Sequence, residues 1–212
     1  MQIRTLFLAI VAFFGAAGCG STTEFTKNWK DPGFEGRQFK EILVVGMSSD
    51  NIARGTMEGS LVKAFSQYDI PARMGMEVFP PLLFKEKLTK EEAKDRVRQS
   101  GADAVLLISL LDAKDTEWYV PGAVVYTPAP GSMAMYGYWS SSWNTIYTQG
   151  YYGSTKEYVL QANLYTTADE RLIWAARSTT TDPSSLESFA KTYSGKIVER
   201  MVRDTTIVPP NN

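Results

Sequence analysis

Few residues of this chain belong to types that support covalent or acid–base catalysis. Histidine is absent from all 212 residues, and Cys19 is the single cysteine. Imidazole is the usual general base near neutral pH and the commonest metal ligand in proteins. A zinc site of the His/Cys kind, a Ser-His-Asp triad and a Cys-His dyad are therefore excluded. We predict no catalytic residue, no metal site and no cofactor, and we expect the protein not to be an enzyme.

Two short patterns could still suggest a nucleophilic enzyme. Ser60 and Lys63 form a Ser-x-x-Lys pattern, and residues 49–51 read Ser-Asp-Asn. Both resemble motifs of penicillin-recognising enzymes, but their order along the chain is reversed and no Lys-Thr-Gly follows. We interpret Lys63 as a solvated residue of a helix rather than as part of an active site.

Three carboxylates follow the most apolar stretch of the chain. Asp112, Asp115 and Glu117 come at the end of the run at residues 104–111, which predicts a strand at the centre of a sheet. Open α/β sheets bind ligands at the carboxyl ends of their strands. The carboxylates therefore mark either a solvated strand end or one wall of a small-molecule site. A carboxylate-based hydrolase is a third alternative.

The first residues are typical of an export signal. Arg4 precedes an apolar run at positions 6–19 that ends in small residues. Spanning a bilayer takes roughly 20 residues, so this run is too short for a permanent membrane helix. Residues 16–19, Ala-Ala-Gly-Cys, resemble the lipobox of bacterial lipoproteins. That resemblance implies a signal peptide at 1–18, cleavage between Gly18 and Cys19, and acylation of Cys19; an ordinary signal peptide with an incidental cysteine is the alternative.

A long uncharged segment interrupts the second half of the chain. The segment between Glu117 and Lys156 carries no formal charge and is rich in tyrosine and tryptophan. A connection of this length in a compact domain is functional or disordered, and disordered segments are poor in aromatics. Three interpretations stay open: a flap over the domain's own surface, a protein-contact surface, and a site that stacks on headgroups or sugars. The possible interaction surface comprises Trp118, Tyr119, Tyr136, Trp139, Trp143, Tyr147, Tyr151 and Tyr152.

The remaining periodicities predict a mixed α/β fold, on the border of α+β, in the order βαβαβ-β-β-α. We expect strands at residues 42–45, 72–79, 104–111, 158–165 and 172–176, the last two joined by a hairpin turn at 168–170. Helices are expected at 51–68 with Asn51 as cap, at 89–100 with a Thr89–Glu92 capping box, and from Pro183 along an apolar stripe to Met201. Right-handed crossovers make the first three strands parallel, with the helices packed on the sheet.

These elements form one predicted α/β domain. A lipidated tether and extended lead-in occupies 19–40, with Trp29, Phe34 and Phe39 as hydrophobic pegs onto the domain. The domain itself spans 41–208, its insertion lies at about 120–154 between the third and fourth expected strands, and a tail follows at 209–212.

Several short motifs resemble a family of small bacterial outer-membrane lipoproteins of unknown function. They are the lipobox, Trp-Lys-Asp-Pro at 29–32, Gly-Ala-Asp-Ala-Val-Leu at 101–106, Asn-Leu-Tyr at 163–165 and the closing amphipathic helix. The order of elements is also similar to that of the curli secretion lipoprotein and of the N-terminal domain of the Tol-system propeller protein. The resemblance implies a cell-envelope location and transfers no catalytic residue. Gly20 after the cysteine implies sorting to the outer membrane rather than retention at the inner one.

These observations predict a lipid-anchored, non-enzymatic envelope protein facing the periplasm from the outer membrane. Its expected partners are the membrane, through acyl chains on Cys19, and other envelope proteins. Nucleic acid is not expected as a partner, because 22 basic side chains are balanced by 23 acidic ones. The alternative is a small-molecule binding or transport-accessory lipoprotein.

Overall fold

The apolar runs of the sequence assemble into a mixed sheet with helices on both faces. A computed structural model describes residues 22–81, 88–115, 135, 137 and 156–210. The strands are β1 Thr22–Lys30, β2 Ile42–Met47, β3 Ala72–Met74, β4 Ala104–Asp115, β5 Lys156–Thr166 and β6 Leu172–Thr181. The helices are α1 Asn51–Ser66, α2 Gly75–Val78, α3 Lys90–Ser100 and α4 Leu186–Arg203.

The described strands lie side by side in the order β1-β6-β5-β4-β2-β3. Strand β2 is parallel to β3 and β4, whereas the β4–β5, β5–β6 and β6–β1 pairs are antiparallel. Helices α1 and α3 provide the crossovers that parallel neighbours require. The predicted fold class is confirmed, as is the interior position of the most apolar strand.

The two faces of the sheet have separate cores, because alternate side chains of a strand point to opposite faces. On the first face, α1 and α4 pack against β2, β4, β5 and β6 and bury Val44, Leu61, Phe65, Leu106, Leu164, Trp174, Tyr193, Ile197 and Met201. On the second face, α3 packs Ala93 and Val97 against Leu43, Val45, Val105, Leu107 and Tyr165. Ala93 and Val97 are the two buried residues of α3, as its sequence pattern predicts.

Helices α1 and α3 each begin at a residue whose side chain caps the first turn. Thr89 and Glu92 form the expected capping box at the start of α3: the Thr89 side chain accepts from the Glu92 N–H, and the Glu92 carboxylate accepts from the Thr89 N–H. The expected cap of α1 is wrong by one residue. Asp50, not Asn51, caps the helix, and its Oδ1 accepts from the N–H groups of Ile52 and Ala53.

The second expected strand is only half correct. Residues 72–74 form β3, but the chain then turns into the short helix α2 instead of continuing to residue 79. Gly75 makes this turn against β2, where an added Cβ would lie 2.7 Å from the Val44 carbonyl oxygen. The alternation of Met74, Met76 and Val78 is too short to distinguish a strand from a helical turn.

The hairpin between β5 and β6 forms as predicted, but one side chain changes face. Glu170 adopts the left-handed conformation that the turn needs, with φ of 57°. A register shift then lies between the Leu164–Trp174 and Tyr165–Leu172 pairs. Leu172 consequently joins the second core, whereas Trp174 and Ala176 join the first.

The expected lead-in contains a strand of the sheet. Residues 22–30 pair with β6, so the sheet begins at Thr22 rather than at Ile42. The pattern of this strand is hard to recognise because its side chains are mostly polar and exposed, as is common at a sheet edge. Trp29, Phe34 and Phe39 do pack onto the two cores, which confirms their interpretation as pegs.

Candidate functional site

The predicted site residues lie mainly outside the described part of the chain. Gly18, Cys19 and the eight aromatic residues of the possible interaction surface fall in residues 1–21 and 116–155, where only Met135 and Gly137 are described. Their assignments stay predictions. Within the described ranges, no helix is both long and apolar enough to cross a membrane.

The strand register nevertheless shows where these segments join the domain. Thr22 pairs with Thr181, Thr181 with Glu157, and Glu157 with Lys114, so these four residues form one row across four strands. We call this row the end row. Neighbouring strands are about 4.8 Å apart, which makes the end row about 14 Å wide. It brings the first residue of β1 close to the point where the aromatic insertion leaves and re-enters the sheet.

The insertion starts and finishes immediately beyond the end row. It leaves β4 after Asp115 and returns at Lys156, and these two residues pair with each other. The segment that follows Cys19 enters the sheet at Thr22, in the same row. Two segments far apart in sequence, the predicted anchor and the aromatic insertion, are therefore attached to the same end of the domain.

Strand β1 is fixed to the domain from its second residue onward. The Thr23 and Thr180 hydroxyls form a buried hydrogen bond of 2.8 Å, and Lys196 Nζ donates to the Thr23 carbonyl at 2.5 Å. At the other end of the strand, Asn28 Nδ2 donates to Asp204 at 3.0 Å. The strand that follows Cys19 is thus bonded both to its neighbour β6 and to α4.

Asp204 is the polar centre of that second attachment. Its carboxylate also accepts from Trp174 Nε1 at 3.0 Å and from Arg200 Nε at 2.9 and 3.1 Å. Lys30 Nζ donates to the carbonyls of Asp204 and Thr205, which follow the end of α4. These contacts hold β1, β6 and α4 together at the end opposite Thr22.

Met135, near the middle of the insertion, is held against the domain. Its side chain is 1% exposed within the second core, and its N–H donates to the Glu170 carbonyl at 3.4 Å. Glu170 lies in the β5–β6 turn, at the far end of β5 and about 30 Å from the end row. At this residue the contact favours the interpretation of the insertion as a flap over the domain.

Among the described residues, the carboxylates at the end of the central strand are not gathered into a ligand site. Asp112 follows a β-bulge and its side chain is 42% exposed, 3.6 Å from the ammonium of Lys114, which is 65% exposed. Exposed pairs of this kind contribute about 0–1 kcal/mol. Asp115 is the last residue of β4, and Glu117 lies outside the described residues. In the described part of the chain, no three carboxylate or cysteine side chains are grouped so that they could hold a metal ion.

The resemblance to penicillin-recognising enzymes has no support from geometry. Asp50, the centre of the Ser-Asp-Asn pattern, is occupied as the cap of α1. Lys63 is exposed near the other end of the same helix, as expected for a solvated residue.

The most deeply buried ion pair among the described residues was not predicted from the sequence. Arg54 Nε donates to Glu58 Oε1 at 2.8 Å, one helical turn apart on α1, and both side chains are 0% exposed. Glu58 also accepts from the N–H of Gly46 at 3.0 Å and from the N–H of Met76 at 2.7 Å. One carboxylate therefore joins the end of β2, the helix α1 and the start of α2.

Burial changes the acidity of both groups. Loss of hydration raises the pKa of Glu58, and the positive charge of Arg54 opposes that rise. Loss of hydration likewise lowers the pKa of Arg54, with Glu58 opposing. Because the pair is closed to solvent, we assign it a structural role in joining three elements. The signal was present in the sequence: Arg54 and Glu58 occupy helical positions in register with the buried Met57 and Leu61.

Comparison with known proteins gives only distant similarities. The sequence matches no family model and no curated protein. Similar solved structures include the PelC dodecamer of Paraburkholderia phytofirmans, at 15% identity and a TM-score of 0.44 over 84% of this chain and 94% of that one. A single-substitution variant of the same dodecamer gives 15% identity and 0.45 over 84% and 95%.

A further similar structure is the lipoprotein GNA1162 of Neisseria meningitidis, at 15% identity and a TM-score of 0.41 over 77% of this chain and 98% of that one. At this identity, and with TM-scores below 0.5, these likenesses carry no argument about activity, partners or assembly.

Proposed function

We propose that this protein is a lipid-anchored, non-enzymatic module of the bacterial cell envelope. It is held at the periplasmic face of the outer membrane by acyl chains on Cys19. There it contacts other envelope proteins through the aromatic side chains of its insertion. The observation that carries the proposal is the shared attachment of the predicted anchor and the insertion at one end of the sheet.

The distance between anchor and domain supports this arrangement. Thr22 is the third residue after Cys19, and a stretch of that length reaches about 10 Å when extended. Since β1 is hydrogen-bonded from Thr23 onward, the anchor is joined directly to the folded domain. A module held this close to the bilayer meets partners that are themselves at the membrane.

The composition of the insertion supports protein contact there. Tyrosine and tryptophan supply large, amphipathic contact area at interfaces, and charged residues are depleted from interface cores. Met135 shows that part of the insertion packs on its own domain. The proposal therefore concerns the tryptophans and tyrosines of the insertion and not Met135. Their contacts with partners must be tested separately from the packing of Met135 on the domain.

The anchor is tested by metabolic labelling with a fatty-acid analogue. We expect label on the wild-type chain and none on Cys19→Ala. As a matched control, Gly20→Asp leaves the acceptor cysteine intact, so it should be labelled equally but shift to the inner membrane of an enterobacterial host. An unlabelled wild-type chain, or a labelled Cys19→Ala variant, would overturn the anchor.

The contact surface is tested by crosslinking in cells. Replacing Trp139 and Trp143 with serine should remove crosslinked partners while the midpoint of thermal unfolding stays unchanged. Met135→Ala is the matched control, because a buried methionine costs about 2–5 kcal/mol when truncated and should lower stability instead. If the serine variant unfolds more easily and keeps its partners, the tryptophans belong to the flap and the contact proposal fails.

A further inference from the structure

We propose that Met74 and Met76 form an oxidation site, at which a peroxide converts their thioethers to sulfoxides and so loosens one edge of the domain. We call these two residues the methionine pair. The pair lies in β3 and α2, at the edge of the sheet opposite β1. The proposal is independent of the acylation of Cys19 and of the aromatic insertion.

The methionine pair differs in exposure from the other methionines among the described residues. Both of its members are partly exposed to solvent. The remaining four are at most 7% exposed: Met47, Met57, Met135 and Met201. Because a dissolved oxidant reaches exposed side chains more readily than buried ones, we expect the pair to react first.

The reaction is a transfer of one oxygen atom from the peroxide. A lone pair of the thioether sulfur forms the S–O bond while the O–O bond of hydrogen peroxide breaks, and the hydroxide that leaves takes up a proton to become water. The sulfur is oxidised by two electrons and the peroxide is reduced by two. The product is methionine sulfoxide, which is polar where the thioether was apolar.

Both side chains of the pair pack against the backbone of α1. Met76 Sδ lies 3.2 Å from the position that a Cβ on Gly55 would occupy, and Met74 Sδ lies 4.0 Å from the corresponding position on Gly59. The two glycines are one helical turn apart on the same face of α1. An oxygen atom on Met76 Sδ has no room on this side, so oxidation must move the side chain away from α1 or displace the helix.

The other attachments of this edge are short. Strand β3 pairs with β2 over three residues, and α2 has four. The Met76 N–H donates to the Glu58 carboxylate at 2.7 Å, and the Phe79 N–H donates to the Gly75 carbonyl at 2.7 Å. Short elements at an edge open locally at lower cost than the central strands do. Loss of the packing on α1 therefore promotes opening of residues 72–79, and enzymatic reduction of the sulfoxides reverses it.

The experiment uses the full-length protein, purified in detergent and treated with hydrogen peroxide. Mass spectrometry of peptides measures the rate of sulfoxide formation at each methionine. Hydrogen–deuterium exchange is then compared over residues 72–79 and, as an internal reference, over 104–111 in β4. The double variant Met74→Leu with Met76→Leu keeps similar side-chain volumes without an oxidisable sulfur, and Met57→Leu is the matched control at a buried methionine of α1.

We expect the pair to be oxidised several-fold faster than Met57 and Met201. Oxidised protein should exchange about tenfold faster over 72–79 and unchanged over 104–111, and a methionine sulfoxide reductase with dithiothreitol should restore slow exchange. Peroxide should leave the exchange of the double variant unchanged, whereas Met57→Leu should respond as the wild type does. The single variants Met74→Leu and Met76→Leu should each respond less than the wild type, which keeps the test available if the double variant does not fold.

Four results would each overturn the proposal. They are equally fast oxidation of the buried methionines, unchanged exchange over 72–79 once the pair is oxidised, an equal response to peroxide in variants that lack the sulfurs, and exchange that stays fast after the sulfoxides have been reduced.

Discussion

Removing the buried carboxylate of Glu58 should destabilise the protein much more than removing an exposed one. Glu58→Gln keeps the side-chain volume but removes the carboxylate charge that faces the guanidinium of Arg54, whose side chain is 0% exposed. Breaking a buried pair in this way costs about 3–5 kcal/mol, a large share of the roughly 5–15 kcal/mol that stabilises a domain. The control is Glu199→Gln, which removes another i,i+4 carboxylate, paired with Arg203 and 54% exposed, and should cost at most about 1 kcal/mol.

Removing the other member of the pair, by Arg54→Met, should affect stability differently from Glu58→Gln. The Glu58 carboxyl group that remains can take up a proton and become neutral. In the intact protein, burial already raises the pKa of Glu58 above its usual 4.5, and the loss of Arg54 removes the positive charge that opposes this rise. Between the unfolded pKa and the raised folded pKa, the folded state binds the extra proton. Stability therefore falls as pH increases through this window, by up to about 1.4 kcal/mol per pH unit.

Urea unfolding followed by circular dichroism, at intervals between pH 5 and pH 8, measures both effects. Arg54→Met should lose stability with rising pH more steeply than the wild type, and Glu58→Gln should lack this contribution. The double variant Arg54→Met with Glu58→Gln buries no charge and should be more stable than Glu58→Gln alone. The reasoning is refuted if Glu58→Gln costs no more than Glu199→Gln, or if Arg54→Met shows the same pH dependence as Glu58→Gln.

Three further predictions concern two glycine positions and one helix cap, and all are measured by the same urea unfolding. Gly36→Ala should cost about 3 kcal/mol or more, because its Cβ would lie 1.7 Å from the Thr205 carbonyl oxygen; unchanged stability would contradict the close approach of the two segments. Gly195→Ala lies inside α4, where the new Cβ would meet no atom within 4 Å apart from the adjacent backbone of the helix itself. This substitution should instead stabilise by about 0.5–1 kcal/mol, and a loss there would contradict the open space. Thr89→Ala should cost about 1 kcal/mol through loss of the capping box with Glu92, and Thr89→Ser should restore most of it.

Much of the fold could be predicted because its signals are local. The continuous apolar runs of β2 and β4, the alternation along β5 and the stripe of α4 each lie within one element. They reflect burial on one or both sides of that element. The capping box of α3 is equally local, since Glu92 follows Thr89 within one helical turn. Such features predict an element without knowledge of its neighbours.

The missed features depend on partners far away in sequence. The polar strand β1 is stable because it pairs with β6, which lies near the other end of the chain, and not because of its own pattern. The turn of the chain at Gly75 depends on close contact with Val44, and the displaced face of Leu172 depends on a register shift between two strands. The burial of Arg54 and Glu58 is not predictable from the sequence because charged residues are rarely fully buried. Their position in the helical stripe is informative only once the neighbours of α1 are known.

The sequence by itself determined which residue types this protein has for chemistry: one cysteine at the end of a stretch that predicts an export signal, no histidine, and a long aromatic segment without charge. These are matters of residue type and order, which no fold can change. Only the tertiary structure decided that the segment after Cys19 and the aromatic insertion join the sheet in the same row, with Met135 packed on the second core. Strand register is set by pairing between distant segments and by burial of each face, so it follows from the assembled sheet and not from any one stretch of the chain.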